Sequence, residues 1–249
     1  MPVKIPVMFL EGRKCIYCGA WKPYRLADKR LKCKTCRRYY SLKRLKNDLN
    51  ILYYFALELS ANRTAKELSL SYKTIRNKYM FFREKITEHL EDNFQKLSGE
   101  LEIDETYFGG KRKGKRGRGA FNKVVVLGIL ERNGRVYTKV VPNVKAETLM
   151  QQIKNKTEKG SVYYTDCFKS YKSLKQYGKH SRINHEKSFG NGHNHINGLE
   201  GFWSFAKERF HKYHGINKDN YEMYLKEMEF RFNNRNSDIF NKLINMIYR

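Results

Sequence analysis

The sequence predicts a multidomain protein: a small zinc ribbon, a helical domain of the helix-turn-helix kind, and an α/β domain with helices flanking a mixed sheet. Three observations carry this. Two Cys-x-x-Cys pairs stand near the N-terminus, the next stretch repeats apolar residues at helical spacing, and from residue 100 three strand-like runs precede an alternation of helix and strand. The expected divisions are 1–45, 46–98 and 99–249.

Cys15-Ile16-Tyr17-Cys18 and Cys33-Lys34-Thr35-Cys36 are separated by fourteen residues. Each Cys-x-x-Cys turn directs two thiolates at one point, and two turns complete a tetrahedron for structural Zn²⁺ with no open coordination position. So short a segment has too little core to fold without the metal. Ten Lys and Arg crowd Arg13–Arg38, which points to DNA contact. Cys167 stands apart and is expected to be a small buried residue.

Leu49, Leu52, Tyr53, Ala56 and Leu59 recur at helical spacing. Thr64 followed by Glu67 has the form of a capping box. After the break at Ser69-Leu70-Ser71, a third helix is expected to carry Tyr72, Ile75, Tyr79, Phe82 and Ile86 on one side, with Lys73, Thr74, Arg76, Asn77 and Arg83 elsewhere. Helix, short turn and basic helix is a DNA-reading pattern, with Lys73, Thr74, Arg76 and Asn77 toward the groove. A plain helical linker or dimerisation domain shares that pattern.

Lys and Arg number 51 against 25 Asp and Glu, a formal net charge of +26. Such an excess repels itself in a compact chain, and a polyanion, by default nucleic acid, is the expected compensation. A membrane partner is disfavoured: there is no continuous basic amphipathic helix, no spanning run, and only Val7–Leu10 as an apolar start, too short for a secretory signal. The expected location is cytoplasmic and nucleoid-associated, which the paired cysteines also fit.

From residue 100 the strands are expected over 101–108, 123–131, 136–141, 162–166 and about 181–184, with helices over 146–156, 168–177, 197–211, 220–233 and 238–247. Three consecutive strands followed by alternating helix and strand is the ribonuclease-H-like order. It puts Asp104 on the first strand and Asp166 at the end of the fourth, side by side although far apart in sequence. Glu200 follows thirty-four residues later, and Lys207 lies two helical turns beyond it on the same face. Oxygen-only ligands of this kind suit Mg²⁺ or Mn²⁺. Asn197 is a rival for third ligand, Glu102 a candidate secondary ligand, and Glu105 points to the opposite face. The Gly109–Gly119 stretch carries Lys111, Arg112, Lys113, Lys115, Arg116 and Arg118 in a glycine-rich hairpin connection suited to phosphate contact. His193 and His195 precede the third acid and are candidates for a base or a phosphate contact.

These residues carry a resemblance. Asp104-Glu105-Thr106-Tyr107-Phe108-Gly109-Gly110-Lys111, Tyr164-Thr165-Asp166, His195 through Lys207, and Glu229-Phe230-Arg231-Phe232-Asn233-Asn234-Arg235 are similar to insertion-sequence transposases with an N-terminal zinc ribbon and a DDE-type integrase catalytic domain. The resemblance implies that Asp104, Asp166 and Glu200 are the catalytic triad and Lys207 its basic companion. It also implies two Mg²⁺ at the acids, binding to terminal inverted repeats in double-stranded DNA, cleavage that frees a 3′-OH, strand transfer, and a homo-oligomer holding two ends. Relatives vary at the third acid, some using Asn, so Asn197 stays open. Two rival readings are a silent DNA-binding regulator and a ribonuclease-H-like nuclease without strand transfer.

Overall fold

In a computed structural model of the chain, the structure describes residues 12–109, 123–132, 134–183, 195–213 and 216–248. They fall into two compact units. One holds the residues through His89 together with those from Asn234 on; the other runs from Leu90 to Asn233.

The first unit opens with three short antiparallel strands, β1 (Tyr24–Arg25), β2 (Arg30–Lys32) and β3 (Tyr39–Ser41). Leu31 pairs with Tyr40 across β2 and β3, and both are buried. The Tyr40 hydroxyl donates to the Lys14 carbonyl at 3.2 Å, closing the sheet over the first cysteine turn. Three helices follow: α1 (Leu42–Ala56), α2 (Ala61–Leu68) and α3 (Tyr72–Asp92). Leu45, Leu49, Leu52 and Phe55 of α1 and Ile75, Tyr79, Phe82 and Ile86 of α3 are buried, and the Phe55 ring centre lies 4.9 Å from that of Tyr79 and 5.4 Å from that of Phe82.

Three expectations for this unit need correction. Thr64 is not a cap: Ser60 caps α2 by accepting from Arg63 N–H, and Thr64 lies buried on α2 with its hydroxyl 2.8 Å from that of Tyr79. The hydroxyl thus ties α2 to α3, and the cap falls to the serine one turn earlier. Tyr72 does not join the apolar side but is 55% exposed. Arg83, expected outside it, is buried, its guanidinium 5.5 Å from the Phe55 ring centre. Its long apolar stem lets it fill a core position.

The second unit is a five-stranded mixed sheet with helices on both faces. Its strands are β4 (Glu100–Phe108), β5 (Val124–Glu131), β6 (Val136–Val141), β7 (Val162–Asp166) and β8 (Lys179–Ile183), in the order β6-β5-β4-β7-β8. The first three form an antiparallel meander, and β7 and β8 add in parallel beside β4. This is the ribonuclease-H-like arrangement. Helix α4 (Ala146–Lys156) makes the crossover from β6 to β7. The segment after β7 is a 3-10 helix over Lys169–Gln176, not the expected α-helix. Helices α5 (Asn197–His211) and α6 (Tyr221–Asn233) follow, and α7 (Ile239–Ile247) belongs to the first unit, where Phe240 sets its ring edge against Tyr53 at 5.6 Å.

The strand period of two sorts the core. Leu101, Ile103, Leu127 and Ile129 face Leu149 and Ile153 of α4 and Tyr171 and Leu174 of the 3-10 helix. Val126 and Leu130 face Leu199, Phe202, Trp203 and Ala206 of α5 and Leu225 and Met228 of α6. Cys167 is exposed rather than buried, because it follows the last residue of β7. Among the described residues no helix is long and apolar enough to cross a membrane.

Gly128 lies directly across the ladder from Asp104. A Cβ there would sit 2.5 Å from Cζ2 of Trp203 and 3.0 Å from Leu199 Cδ1, so α5 approaches the sheet only because this residue has none. Gly128→Ala should therefore destabilise the protein by about 1–3 kcal/mol. The check is the urea midpoint; a wild-type midpoint would show that the indole does not depend on this gap.

Candidate active site and zinc centre

The parallel register of β4 and β7 pairs Glu100 with Val162, Leu101 with Tyr163 and Glu102 with Tyr164. Two residues further along each strand are Asp104 and Asp166, which the ladder therefore places abreast at the C-terminal end of β7. Asp104 shares its face of β4 with Glu102, toward α5, and its Oδ2 accepts a hydrogen bond from the Trp203 indole N–H at 3.1 Å. Asp166 accepts from the Phe168 amide at 2.9 Å, fixing the turn that leaves β7. Burial, followed by repulsion from Asp166 and more weakly from Glu200, pushes Asp104 up to about 6 against the opposing Trp203 hydrogen bond. Asp104 therefore senses both of the other acids. Glu200 occupies the first turn of α5 and is exposed, as is Lys207 two turns on, while Leu199, Phe202, Trp203 and Ala206 turn inward. Asn197 is exposed at the start of the same helix.

The neighbouring polar cluster explains how α5 is held. Its N-cap position is Ile196, whose side chain can accept no hydrogen bond. Glu102 does that work from β4: its buried Oε2 accepts from the Leu199 amide at 2.8 Å, one of the free N–H groups of the first turn. Its Oε1 accepts from Arg132 Nε at 3.2 Å and stands 3.6 Å from His195 Nδ1. With both oxygens engaged inside the fold, Glu102 is a helix-holding residue and not the secondary metal ligand the sequence suggested. Arg132, just beyond β5, also donates to the His195 carbonyl at 2.6 Å and to Glu100 at 2.9 Å, and its guanidinium lies 3.8 Å from the Tyr164 ring centre. One cation thereby touches β4, β7 and the entry to α5, the three elements that carry the acids. Glu105 faces the other side, as expected, and accepts from the Tyr171 hydroxyl at 2.8 Å.

A family model described as the ISXO2-like transposase domain matches residues 96–233. The chain belongs to this transposase family. The match spans β4 through α6 and so includes all three acids. A Haemophilus influenzae protein described as an uncharacterized transposase-like protein is 48% identical over 101 residues, which is 40% of this chain and 82% of that protein. Among solved structures, a Mos1 transposase paired-end complex with left transposon end is 12% identical, over 82% of this chain and 78% of that one, with a TM-score of 0.28. A Mos1 mariner paired-end complex with Mn is also 12% identical, over 92% and 81%, with a TM-score of 0.28. Scores this low leave the fold resting on the strand order itself.

The four cysteines of the transposase come together. Sγ of Cys15 lies 3.7 Å from that of Cys36, Cys18 lies 3.5 Å from Cys33, and all four fall within 4.8 Å of one another. Four sulfurs bonded at about 2.3 Å around zinc would stand about 3.8 Å apart, so the donor set and spacing fit Zn²⁺. Among the described residues this is the one group of three or more Cys, His, Asp or Glu side chains gathered this closely. The carboxylates of Asp104, Asp166 and Glu200 are not gathered this closely. Backbone amides of Tyr17 and Cys36 donate to Cys15 and Cys33 at 3.4 Å, helping each turn hold a thiolate. Burial pushes the Cys15 thiol up to about 12. At Cys33 burial pushes the same way, but the amides of Cys36 and Thr35 prevail and bring it down to about 6.

Lys73, Arg76 and Asn77 are all exposed on α3, on the side away from Ile75 and Tyr79. Lys111, Arg112, Lys113, Lys115, Arg116, Arg118 and His193 lie outside the described residues. Trp203, Glu102 and Arg132 are the site residues that sequence reasoning missed or misassigned.

Two outcomes are expected. Because the folded carboxyl of Asp104 is raised, the metal-free protein loses stability as pH climbs from about 4 through about 6, and the cost is fully present at pH 7.5. Asp104→Asn removes it, so the metal-free variant should be more stable at pH 7.5 by on the order of 1–3 kcal/mol, with little difference at pH 4. Thermal melts at the two pH values check this, and equal gaps at both would contradict it. Stripping zinc should unfold the ribbon while the sheet unit keeps its cooperative melt. Amide exchange mapped by mass spectrometry reads both; a ribbon that stays protected after metal loss would contradict the assignment.

Proposed function

We propose that this transposase binds the terminal inverted repeats of its own insertion sequence and catalyses phosphodiester hydrolysis followed by strand transfer. The observation that carries the reading is the β4–β7 register, which sets Asp104 beside Asp166 with Glu200 close enough to act on Asp104 electrostatically. The adjacent carboxylates, with Glu200 as third acid and Asn197 as the alternative, fit the oxygen chemistry of Mg²⁺ or Mn²⁺. Bound there, a pair of divalent ions would supply Lewis-acid activation of the attacking oxygen and charge neutralisation of an in-line displacement at phosphorus.

The chain's own residues divide the remaining work. Asp104 keeps Oδ2 on the Trp203 indole, which orients the carboxylate and leaves its other oxygen for a ligand. Asp166 is oriented by the Phe168 amide. Lys207, exposed two turns beyond Glu200, is placed to meet a DNA phosphate. In the first step water attacks the phosphodiester at the element end and frees a 3′-OH. In the second that 3′-OH attacks target DNA, exchanging one phosphodiester for another without a covalent protein intermediate.

Holding DNA falls to the ribbon over 1–45, the helices over 46–98 and the glycine-rich stretch that follows Asp104. Lys73, Arg76 and Asn77 read the end in the groove. Lys111, Arg112, Lys113, Lys115, Arg116 and Arg118 neutralise phosphates, each adding about 0.9 to the salt slope of binding. Two ends must be joined in one event, so the working form is a homo-oligomer on DNA, in the nucleoid of the cytoplasm.

The test uses full-length protein, labelled duplex carrying the element end, Mg²⁺ or Mn²⁺, and Asp166→Ala beside the wild type. Wild-type cleavage and joined product, with the variant lower by 10³-fold or more, is expected for loss of an ion-holding acid, on the order of several kcal/mol. Cleavage by the variant at the wild-type rate would remove Asp166 from the site. Cleavage without joining would reduce the enzyme to a nuclease.

A further inference from the structure

The ribbon presents an aromatic face that no part of the catalytic scheme uses. Tyr24 pairs with Lys32 across β1 and β2, and Lys32 pairs with Tyr39 across β2 and β3. Directly opposed residues share a sheet face, so Tyr24, Lys32 and Tyr39 form one row over three strands. The next row, Arg25, Leu31 and Tyr40, belongs to the other face, where Leu31 and Tyr40 are buried. The two outer rings are not packed away: Tyr24 is 55% exposed and Tyr39 is 49% exposed.

Cations frame both rings. Lys34 Nζ lies 4.6 Å from the Tyr24 ring centre, and Lys32 Nζ lies 5.1 Å and the Arg30 guanidinium 5.6 Å from that of Tyr39. Arg30 sits two residues from Lys32 on β2 and so projects from the same face. The patch thus combines two exposed rings with three cations, of which Arg30 also pairs with Asp28.

We propose that this face of the ribbon binds single-stranded DNA, the rings stacking on unpaired bases and Arg30, Lys32 and Lys34 meeting the phosphates between them. A ring lying on a flat sheet can stack only on a base whose face is open. In a duplex those faces are hidden in the stack and only groove edges and phosphates are offered. Aromatic rings interleaved with cations on a sheet are what sequence-tolerant single-strand binding requires. The flanking strand at an element end becomes available as the ends are opened and cut, so the face would hold DNA that α3 does not. This rests on DNA being the substrate, and it adds which form of DNA the ribbon takes.

The test uses the full-length, zinc-loaded protein without added Mg²⁺ and follows the anisotropy of a labelled mixed-sequence single strand and of the same strand annealed to its complement. Tyr24→Ala with Tyr39→Ala should weaken single-strand binding by about tenfold or more, since stacking contributes roughly 1–3 kcal/mol per base. Duplex affinity should stay within about twofold, the scatter expected of an untouched contact. The double Phe variant keeps the rings and should bind single strands as the wild type does. Zinc content equal to wild type confirms that the Ala variant retains its ribbon. Wild-type single-strand affinity in the Ala variant overturns the proposal, as does equal loss on single strand and duplex, or a change in oligomeric state in place of DNA binding. A wild type that binds duplex but not single strands overturns this inference and leaves the proposed function standing; one that binds neither overturns both.

Discussion

The pairing of β4 with β7 is the constraint on which the rest of the catalytic unit depends. These strands are joined only through β5, β6 and α4, yet their parallel ladder fixes Glu102 opposite Tyr164. A slip of one residue would turn Asp104 and Asp166 to different faces and expose Leu101 and Ile103 to water. The register is thus enforced by apolar burial against α4 and the 3-10 helix, while its chemical consequence appears on the opposite side.

That consequence has an electrostatic cost. Burial first, and repulsion from Asp166 and Glu200 after it, hold the Asp104 carboxyl well above its usual range. The surrounding residues hold the arrangement against the repulsion. Arg132 spans the three acid-bearing elements, Glu102 supplies the helix cap that Ile196 cannot, and Gly128 lets the Trp203 indole reach Asp104. On the proposed reading this is preorganisation: the acids are already in place, and a divalent cation bound there would relieve their repulsion rather than create the site.

Much of this is visible in the residues alone, for reasons that differ by element. Helices α4 and α5 and strands β6 and β7 fall where their apolar periods and flanking polar residues put them, and strand order alone places the acids on neighbouring strands. The cysteine quartet is legible because its spacing has few other physical uses. Contacts between residues distant in sequence are not. Thr64 looks like a cap until Tyr79 claims its hydroxyl, and Arg83 looks solvated until Phe55 and Tyr79 enclose it. Glu102 looks like a ligand until the unsatisfied amide of Leu199 meets it ninety-seven residues away. The uncapped start of α5 was a usable signal: a helix opening after Ile196 needs an acceptor from elsewhere in the fold.

The two units share one excess of positive charge, +26 over the chain, but use it differently. The ribbon sets cations around exposed rings, α3 carries Lys73 and Arg76 exposed on its outer side, and α5 carries Lys207 exposed two turns beyond Glu200. The most direct test of the account is anomalous diffraction from crystals soaked in Mn²⁺. It predicts manganese between the carboxylates of Asp104 and Asp166, within reach of Glu200. Manganese bound elsewhere while both aspartates remain bare at saturation would contradict it.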